Sequence, residues 1–346
     1  MKIAIDAMGG DHAPLEIVKG AVMAAEMYDA EIVLVGDEPQ IRKILADTAK
    51  WESLPISIRH TTEIIEMTES AEAVRIKKDS SLVVATQMIR EGTADAVLSA
   101  GSTAGAVAAA QLYLKRMKGI HRPTIATPMP TPQGTTLLLD SGANVDSKPE
   151  WLVQSAIMGS IYAENVLHID SPKVGLLNIG EEEEKGNQLV KETYPLMQAC
   201  SAVSFVGNVE GRDIPKGDVD VVVCDGFVGN VILKFGEGLA KTIIGLLKDA
   251  VREGGIMAKL GAFLLIPTLK KLAKKLDVDE NGGAPLLGVN GCVLIAHGSS
   301  NAKSICSAIR IAKEYVDSDV VSRIKESIQA ENQTGEVLPE DDKQET

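Results

Sequence analysis

The chain has 346 residues, of which 45% are hydrophobic, 24% charged and only 3% aromatic, and it carries a net charge of −13. That length allows one large domain or two, and the composition is that of a folded globular protein. The negative balance excludes a general nucleic-acid binder, which needs a positive field, and so few aromatics leave no stacking platform for single strands or sugar rings.

In chain order, the β-branched runs predict strands at Lys2–Ile5, Glu31–Val35, Ile56–His60, Asp95–Leu98, Thr124–Thr127, Thr135–Leu139, Lys173–Asn178, Ala202–Val206, Asp220–Cys224 and Gly291–His297. Between them, apolar residues at helical spacing predict helices at Leu15–Tyr28, Gln40–Lys50, Ser81–Glu91, Ala104–Lys118, Lys148–Asn165, Gln188–Ala199, Gly229–Arg252 and Ser300–Val316. Alternating strands and helices imply a three-layer α/β/α fold around a largely parallel, mixed sheet. The pair Thr124–Thr127 and Thr135–Leu139 flanks a loop with Pro128, Pro130 and Pro132 and reads as an antiparallel excursion. Residues 1–330 are expected to form one catalytic unit, or two intertwined subdomains. The acidic tail 331–346 lacks apolar periodicity and is expected to be disordered.

Cys200, Cys224, Cys292 and Cys306 form no CxxC and have no histidine at ligand spacing, so they read as buried thiols in a reducing compartment, with no metal site. Asp6 ends the first apolar run too early for a signal peptide, and no run approaches a membrane span. A cytoplasmic protein is expected.

Ligands of α/β sheets bind at the carboxyl ends of strands, and here those ends collect glycine and small polar residues. Asp6-Ala7-Met8-Gly9-Gly10-Asp11-His12-Ala13-Pro14 reads either as an anion-binding loop with Gly10, Asp11 and His12, or as a capped strand–helix turn. It is not a GxGxxG dinucleotide loop. Ser99-Ala100-Gly101-Ser102-Thr103-Ala104-Gly105 offers free amides and the hydroxyls of Ser102 and Thr103, though close helix–sheet packing would also require small residues there. Asn144 follows the Thr135–Leu139 run. Glu181–Glu184 is either dipole-matched surface charge or the lead-in to Lys185 and Asn187 as phosphate or carbonyl ligands. Asn208 lies in Gly207-Asn208-Val209-Glu210-Gly211-Arg212-Asp213. Asp225 and Asn230 lie in Asp225-Gly226-Phe227-Val228-Gly229-Asn230, with Lys234 a turn further on, and His297 opens His297-Gly298-Ser299-Ser300-Asn301. Each loop alone is weak; together they read as one composite site.

The strings DAMGGDHAP, SAGSTAG, NIGEEEEKGN, GNVEGRD, CDGFVGN and GGAPLLGVNG…AHGSSNA, in this order from Met1 to about Ser327, closely resemble the bacterial phosphate acyltransferase (PlsX) family. The resemblance implies a fold similar to isocitrate and isopropylmalate dehydrogenases and to phosphotransacetylases. It implies a homodimer without cofactor that converts acyl-[acyl carrier protein] and phosphate to acyl phosphate and free carrier protein. The product would pass to a membrane glycerol-3-phosphate acyltransferase, early in phospholipid synthesis.

For that chemistry Lys185, Ser102 and Thr103 are candidates to bind phosphate, and Asn230 or Asn208 to donate to the oxyanion. His12 or His297 would handle a proton, and Asp11 or Asp225 would orient a histidine or lysine. A structural hydrogen-bonded role is the competing reading for each histidine. The alternative activities are a phosphotransacetylase using a short-chain acyl-CoA, and an NAD-dependent decarboxylating dehydrogenase. The second would need clustered arginines where the strand-end loops offer Arg212 alone. A non-enzymatic scaffold recruited to membranes is a further reading.

Residues 253–276 stand apart. Leu265, Leu269, Leu272 and Leu276 share one helical face, Lys270, Lys271, Lys274 and Lys275 the other, and Phe263–Ile266 before Pro267 suits a turn between two helices. Arg252–Leu276 carries a net charge of +5. A protruding amphipathic hairpin is expected. Phe263, Leu264, Leu265, Lys270, Lys271 and Lys274 would touch an anionic membrane, the acyl carrier protein or the second subunit. Contact with the inner face of the cell membrane would then be peripheral.

Overall fold

A computed structural model describes residues 1–48, 51–275 and 282–334, and the side chains of all of these except 269–275 and 332–334. The strands among the described residues are β1 (Lys2–Asp6), β2 (Glu31–Gly36), β3 (Ile56–His60), β4 (Ala96–Ser99), β5 (Thr124–Ile125), β6 (Thr127–Thr131), β7 (Gly134–Leu139), β8 (Lys173–Asn178), β9 (Ser204–Glu210), β10 (Val221–Val223), β11 (Ala284–Leu287) and β12 (Cys292–Ile295). They form two sheets, ordered β3-β2-β1-β4-β12-β11-β5 and β6-β7-β10-β8-β9. In the first, β3, β2, β1, β4 and β12 run parallel; in the second, β7, β10, β8 and β9 do. The fold is α/β and largely parallel, but the strands divide between two sheets.

Strand alternation decides which layer each side chain joins. Ile3 and Ile5 of β1 enter the largest core cluster, while Ala4 between them enters the cluster on the opposite face. Leu137 and Leu139 of β7, with Val221 and Val223 of β10, enter that same largest cluster; Leu138 and Val222 face the other way. Both sheets thus contribute to one core. Helix Pro149–Asn165 is seated in it, with Leu152, Val153, Ala156, Ile157 and Tyr162 buried. Leu152, Val153 and Ile157 each contribute roughly 1.5–3 kcal/mol by leaving water.

Several expectations need correction. Thr124–Thr127 is not one strand: β5 pairs with β11 in the first sheet, and β6 pairs antiparallel with β7 at an edge of the second. Pro128 and Pro130 lie inside β6, where an edge position tolerates a missing amide donor. β11, hidden behind Gly282-Gly283 and containing Pro285, was not expected. Glu331 does not begin a disordered tail. Helix Val320–Thr334 buries Val320, Ile324 and Ile328 on one face, and Glu331 is itself buried and accepts from Ser201 Oγ at 3.3 Å. Residues 335–346 lie outside the described residues.

The amphipathic insert is the second arm of a long hairpin. Helix Gly226–Glu253 runs 28 residues and helix Gly255–Lys275 returns over 21. The turn is at Gly254-Gly255, with Gly255 at φ 72°, rather than at Pro267, which lies inside the second helix. The apolar surface also begins earlier than expected: Phe227, Val231, Phe235, Leu239 and Ile243 repeat every four residues and are all exposed. Phe263, Leu264, Leu265 and Ile266 are exposed on the returning arm. The side chains of Lys270, Lys271 and Lys274 lie outside the described residues. No described helix is long and apolar enough to cross a membrane.

Candidate active site

The first sheet supplies one part of the site. Asp6 closes β1 and is 3% exposed; Ser99 Oγ, closing β4, donates to its Oδ2 at 2.7 Å and accepts from Gly101 N at 3.0 Å. Burial pushes the Asp6 carboxyl above its ordinary range, against the hydrogen bonds from Ser81, Ser99, Met8 and Gly9 that favour its charge. Gly9 allows this close approach, because a Cβ there would lie 2.4 Å from Asp6 Oδ2 and 2.9 Å from Gly101 N.

Asp11 N donates to Gly298 O at 2.8 Å, which ties the β1 loop to the loop after β12. His12 is exposed and lines an open depression of about 530 Å³ with Leu15, Glu16, Ser299 and Asn301. His297 Nδ1 accepts from Ser299 N at 3.2 Å and lies 2.8 Å from Ser299 Oγ. Gly10, Asp11, His12 and His297 are therefore brought together. Ser102 caps the short helix Thr103–Ala109 by accepting from Gly105 N at 3.3 Å, and Thr103 is exposed in its first turn.

The second sheet supplies the rest. Asp140, just beyond β7, is 1% exposed and accepts five N–H groups. Ile125 N, Gly142 N and Ala143 N reach Oδ1 at 3.1, 3.1 and 2.9 Å; Asn144 N and Nδ2 reach Oδ2 at 2.7 and 2.9 Å. Burial raises its carboxyl, and these donors pull the other way. Asn144 also donates from Nδ2 to Pro123 O at 2.7 Å and accepts Gly226 N at 2.8 Å. Asp225 caps the long helix through Val228 N at 2.9 Å. Gly229 packs on Asp140, since a Cβ there would meet its carbonyl oxygen at 1.9 Å. Asn230 Nδ2 stands where a Cβ on Gly142 would be 2.9 Å away. Asn144, Asp225 and Asn230 thus share one corner.

At the ends of β8 and β9, Asn178 Nδ2 donates to Lys185 O at 3.1 Å and leaves the Lys185 side chain exposed. Asn187 caps helix Gln188–Ala199 through Val190 N at 3.0 Å. Asn208 Nδ2 donates to Glu182 O at 3.0 Å, and its buried Oδ1 has no partner among the described residues. Oxygens of Glu181, Glu210 and Asp213 lie within 4.8 Å of one another. Arg212 pairs with Glu210, and Lys216 with Asp213 at 2.6 Å, so two of these three carboxylates already have cations.

The long helix links the two parts. Asn230, exposed Lys234 and Glu237 fall at i, i+4 and i+7, one face of the helix and roughly 10 Å end to end. Glu237 Oε2 is 3.9 Å from His297 Nε2 on the first sheet. Asp6, Ser99, Asp140, Asn178 and Glu237 join these contacts without being among the residues expected from the sequence. The first four are each a polar residue at the end of an apolar strand run, which is a usable signal; nothing local marks Glu237.

Loops at the carboxyl ends of β7 and β12, one from each sheet, thus meet the long helix of an α/β fold. The chain aligns with a phosphotransacetylase from Streptococcus pyogenes at TM-score 0.63 and 17% identity, covering 91% of this chain and 94% of that one. It aligns with a 4-hydroxythreonine-4-phosphate dehydrogenase from Klebsiella pneumoniae at TM-score 0.50 and 14% identity, covering 91% and 97%. Both likenesses concern the fold. The family described as "Fatty acid synthesis protein" matches residues 1–323. A phosphate acyltransferase of Desulfitobacterium hafniense is 55% identical over 332 residues, 95% of this chain and 98% of that protein. The chain belongs to this phosphate acyltransferase family and is an acyltransferase.

Proposed function

We propose that the chain transfers a long-chain acyl group from the thioester of acyl carrier protein to inorganic phosphate. The whole-length identity to a protein named phosphate acyltransferase supports this reading most directly. A phosphate oxygen attacks the thioester carbonyl, the C–S bond breaks, and the electron pair leaves on sulfur. A thiol of pKa about 8.5 leaves readily and regains a proton afterwards. The protein's task is to position the reactants and to stabilise the oxyanion.

In this reading Lys185, Ser102 and Thr103 hold phosphate, while Asn230 or Asn208 donates to the oxyanion. His12 or His297 exchanges the proton. Asn144, Asn187, Lys234, Gly10 and Asp11 line the approach. The exposed apolar surface of the hairpin rests on the membrane where a glycerol-3-phosphate acyltransferase consumes the product, and the enzyme works as a homodimer. This makes the reaction an early step of phospholipid synthesis.

Purified chain incubated with phosphate and a long-chain acyl carrier protein, with hydroxylamine trapping of acyl phosphate, tests the reading. Product from the acyl carrier protein and none from acetyl-CoA supports it. Turnover of acetyl-CoA alone overturns it in favour of a short-chain phosphotransacetylase. For the hairpin, Phe263→Glu and Leu265→Glu are expected to abolish co-sedimentation with anionic vesicles. Unchanged lipid binding would overturn the membrane contact.

A further inference from the structure

We propose that Asp140 is a positioning residue for the transfer reaction, acting through Asn230. This rests on the acyl-transfer reading above. Asp140 is buried and reaches the approach only through Asn144, which it holds by two hydrogen bonds, yet it connects three parts that have to keep their relative places. Its Oδ1 accepts Ile125 N of β5, in the first sheet, although Asp140 itself follows β7 of the second. Both its oxygens gather the amides of residues 142–144 into one tight loop. Its backbone carbonyl is the surface on which Gly229 of the long helix packs, and its backbone N donates to Cys224 O at 2.9 Å.

The consequence falls on Asn230. Gly142, held by Asp140 Oδ1, lies against the Asn230 amide. Asn144, held by Oδ2, in turn accepts the first amide of the helix that carries Asn230. A carboxylate suits this place because all five of its partners are N–H donors. An isosteric amide would turn its own NH₂ toward donors and leave at least one of them unpaired in a buried corner. The backbone would then have to shift, and shifts of about 1 Å at a reacting centre cost on the order of 100-fold in rate.

The test is a double-mutant cycle on the full chain, read as acyl phosphate formed from long-chain acyl carrier protein. Asp140→Asn is expected to lower kcat roughly 10- to 100-fold with KM for phosphate changed less than about threefold. Asn230→Ala lowers kcat comparably, and the double variant is no slower than the worse single, because Asp140 works through Asn230. Should Asp140→Asn fail to fold, Gly142→Ala serves: it leaves the buried carboxylate intact and sets a Cβ 2.9 Å from Asn230 Nδ2 at φ +139°. The same non-additivity with Asn230→Ala is expected. Additive losses, or near-wild-type kcat in a folded Asp140→Asn or Gly142→Ala chain, would overturn the inference. Absence of acyl phosphate from the wild-type chain would instead overturn the reaction it rests on.

Discussion

His297 Nε2 lies 3.9 Å from Glu237 Oε2, so the loop that ends a strand of one sheet meets the helix that springs from the other. Both side chains are partly exposed, and such a pair contributes at most about 1 kcal/mol to stability. Its weight is in alignment. Glu237→Ala is expected to leave the denaturation midpoint almost unchanged and to lower kcat severalfold. Steady-state kinetics beside a urea titration checks this; a large loss of stability with normal kcat would contradict it.

Gly229 has no room for a side chain. Gly229→Ala puts a methyl group 1.9 Å from the Asp140 carbonyl oxygen, so the helix must move off the strand end. A destabilisation of roughly 1–3 kcal/mol is expected, together with loss of activity. An alanine variant as stable and as active as the parent would show that the helix seat is looser than described.

Asp225 was expected to orient a catalytic group, and it also caps the long helix. The two roles separate by substitution. Asp225→Ala should cost about 1 kcal/mol, whereas Asp225→Asn keeps a cap of similar quality. Stability restored by Asn with activity still low would assign the charge to the site; both restored would leave the cap as its whole role.

Asp6 makes stability depend on pH in a direction opposite to that of most carboxylates. Burial raises its folded pKa above the ordinary value of 3.8, so the folded chain holds its proton more tightly than the unfolded chain. Its contribution is therefore full below pH 3.8 and is lost as pH rises through the folded value. The stability of the wild type minus that of Asp6→Asn, measured by denaturation from about pH 4 to pH 8, should fall with rising pH and then level off. A difference that grows with pH would contradict this assignment.

Much of this arrangement was legible in the sequence. Apolar runs such as Val221-Val222-Val223 identify strands covered on both faces, and the loops that follow them carry most of the candidate residues. The division into two sheets was not legible, because periodicity reports that a strand is buried but not which neighbour it pairs with. β11 was masked by Pro285 and the glycines before it, which locally specify a turn. Asp6 and Asp140 stood in plain view but read as loop polarity; their importance comes from donors contributed by other segments of the chain, the Ser99 hydroxyl to Asp6 and the Ile125 amide to Asp140. The turn of the hairpin was misplaced because Pro267 is the stronger local breaker, yet the chain reverses at Gly254-Gly255.

In the proposed reaction phosphate itself attacks the acyl thioester. This attack is tested most directly with phosphate labelled in all its oxygens with oxygen-18, mixed with long-chain acyl carrier protein and the purified chain, and mass analysis of the acyl phosphate formed. The product is expected to keep every labelled oxygen, including the one bridging to the acyl carbon, with one free carrier thiol per acyl phosphate. An unlabelled bridging oxygen, or free fatty acid without acyl phosphate, would contradict it.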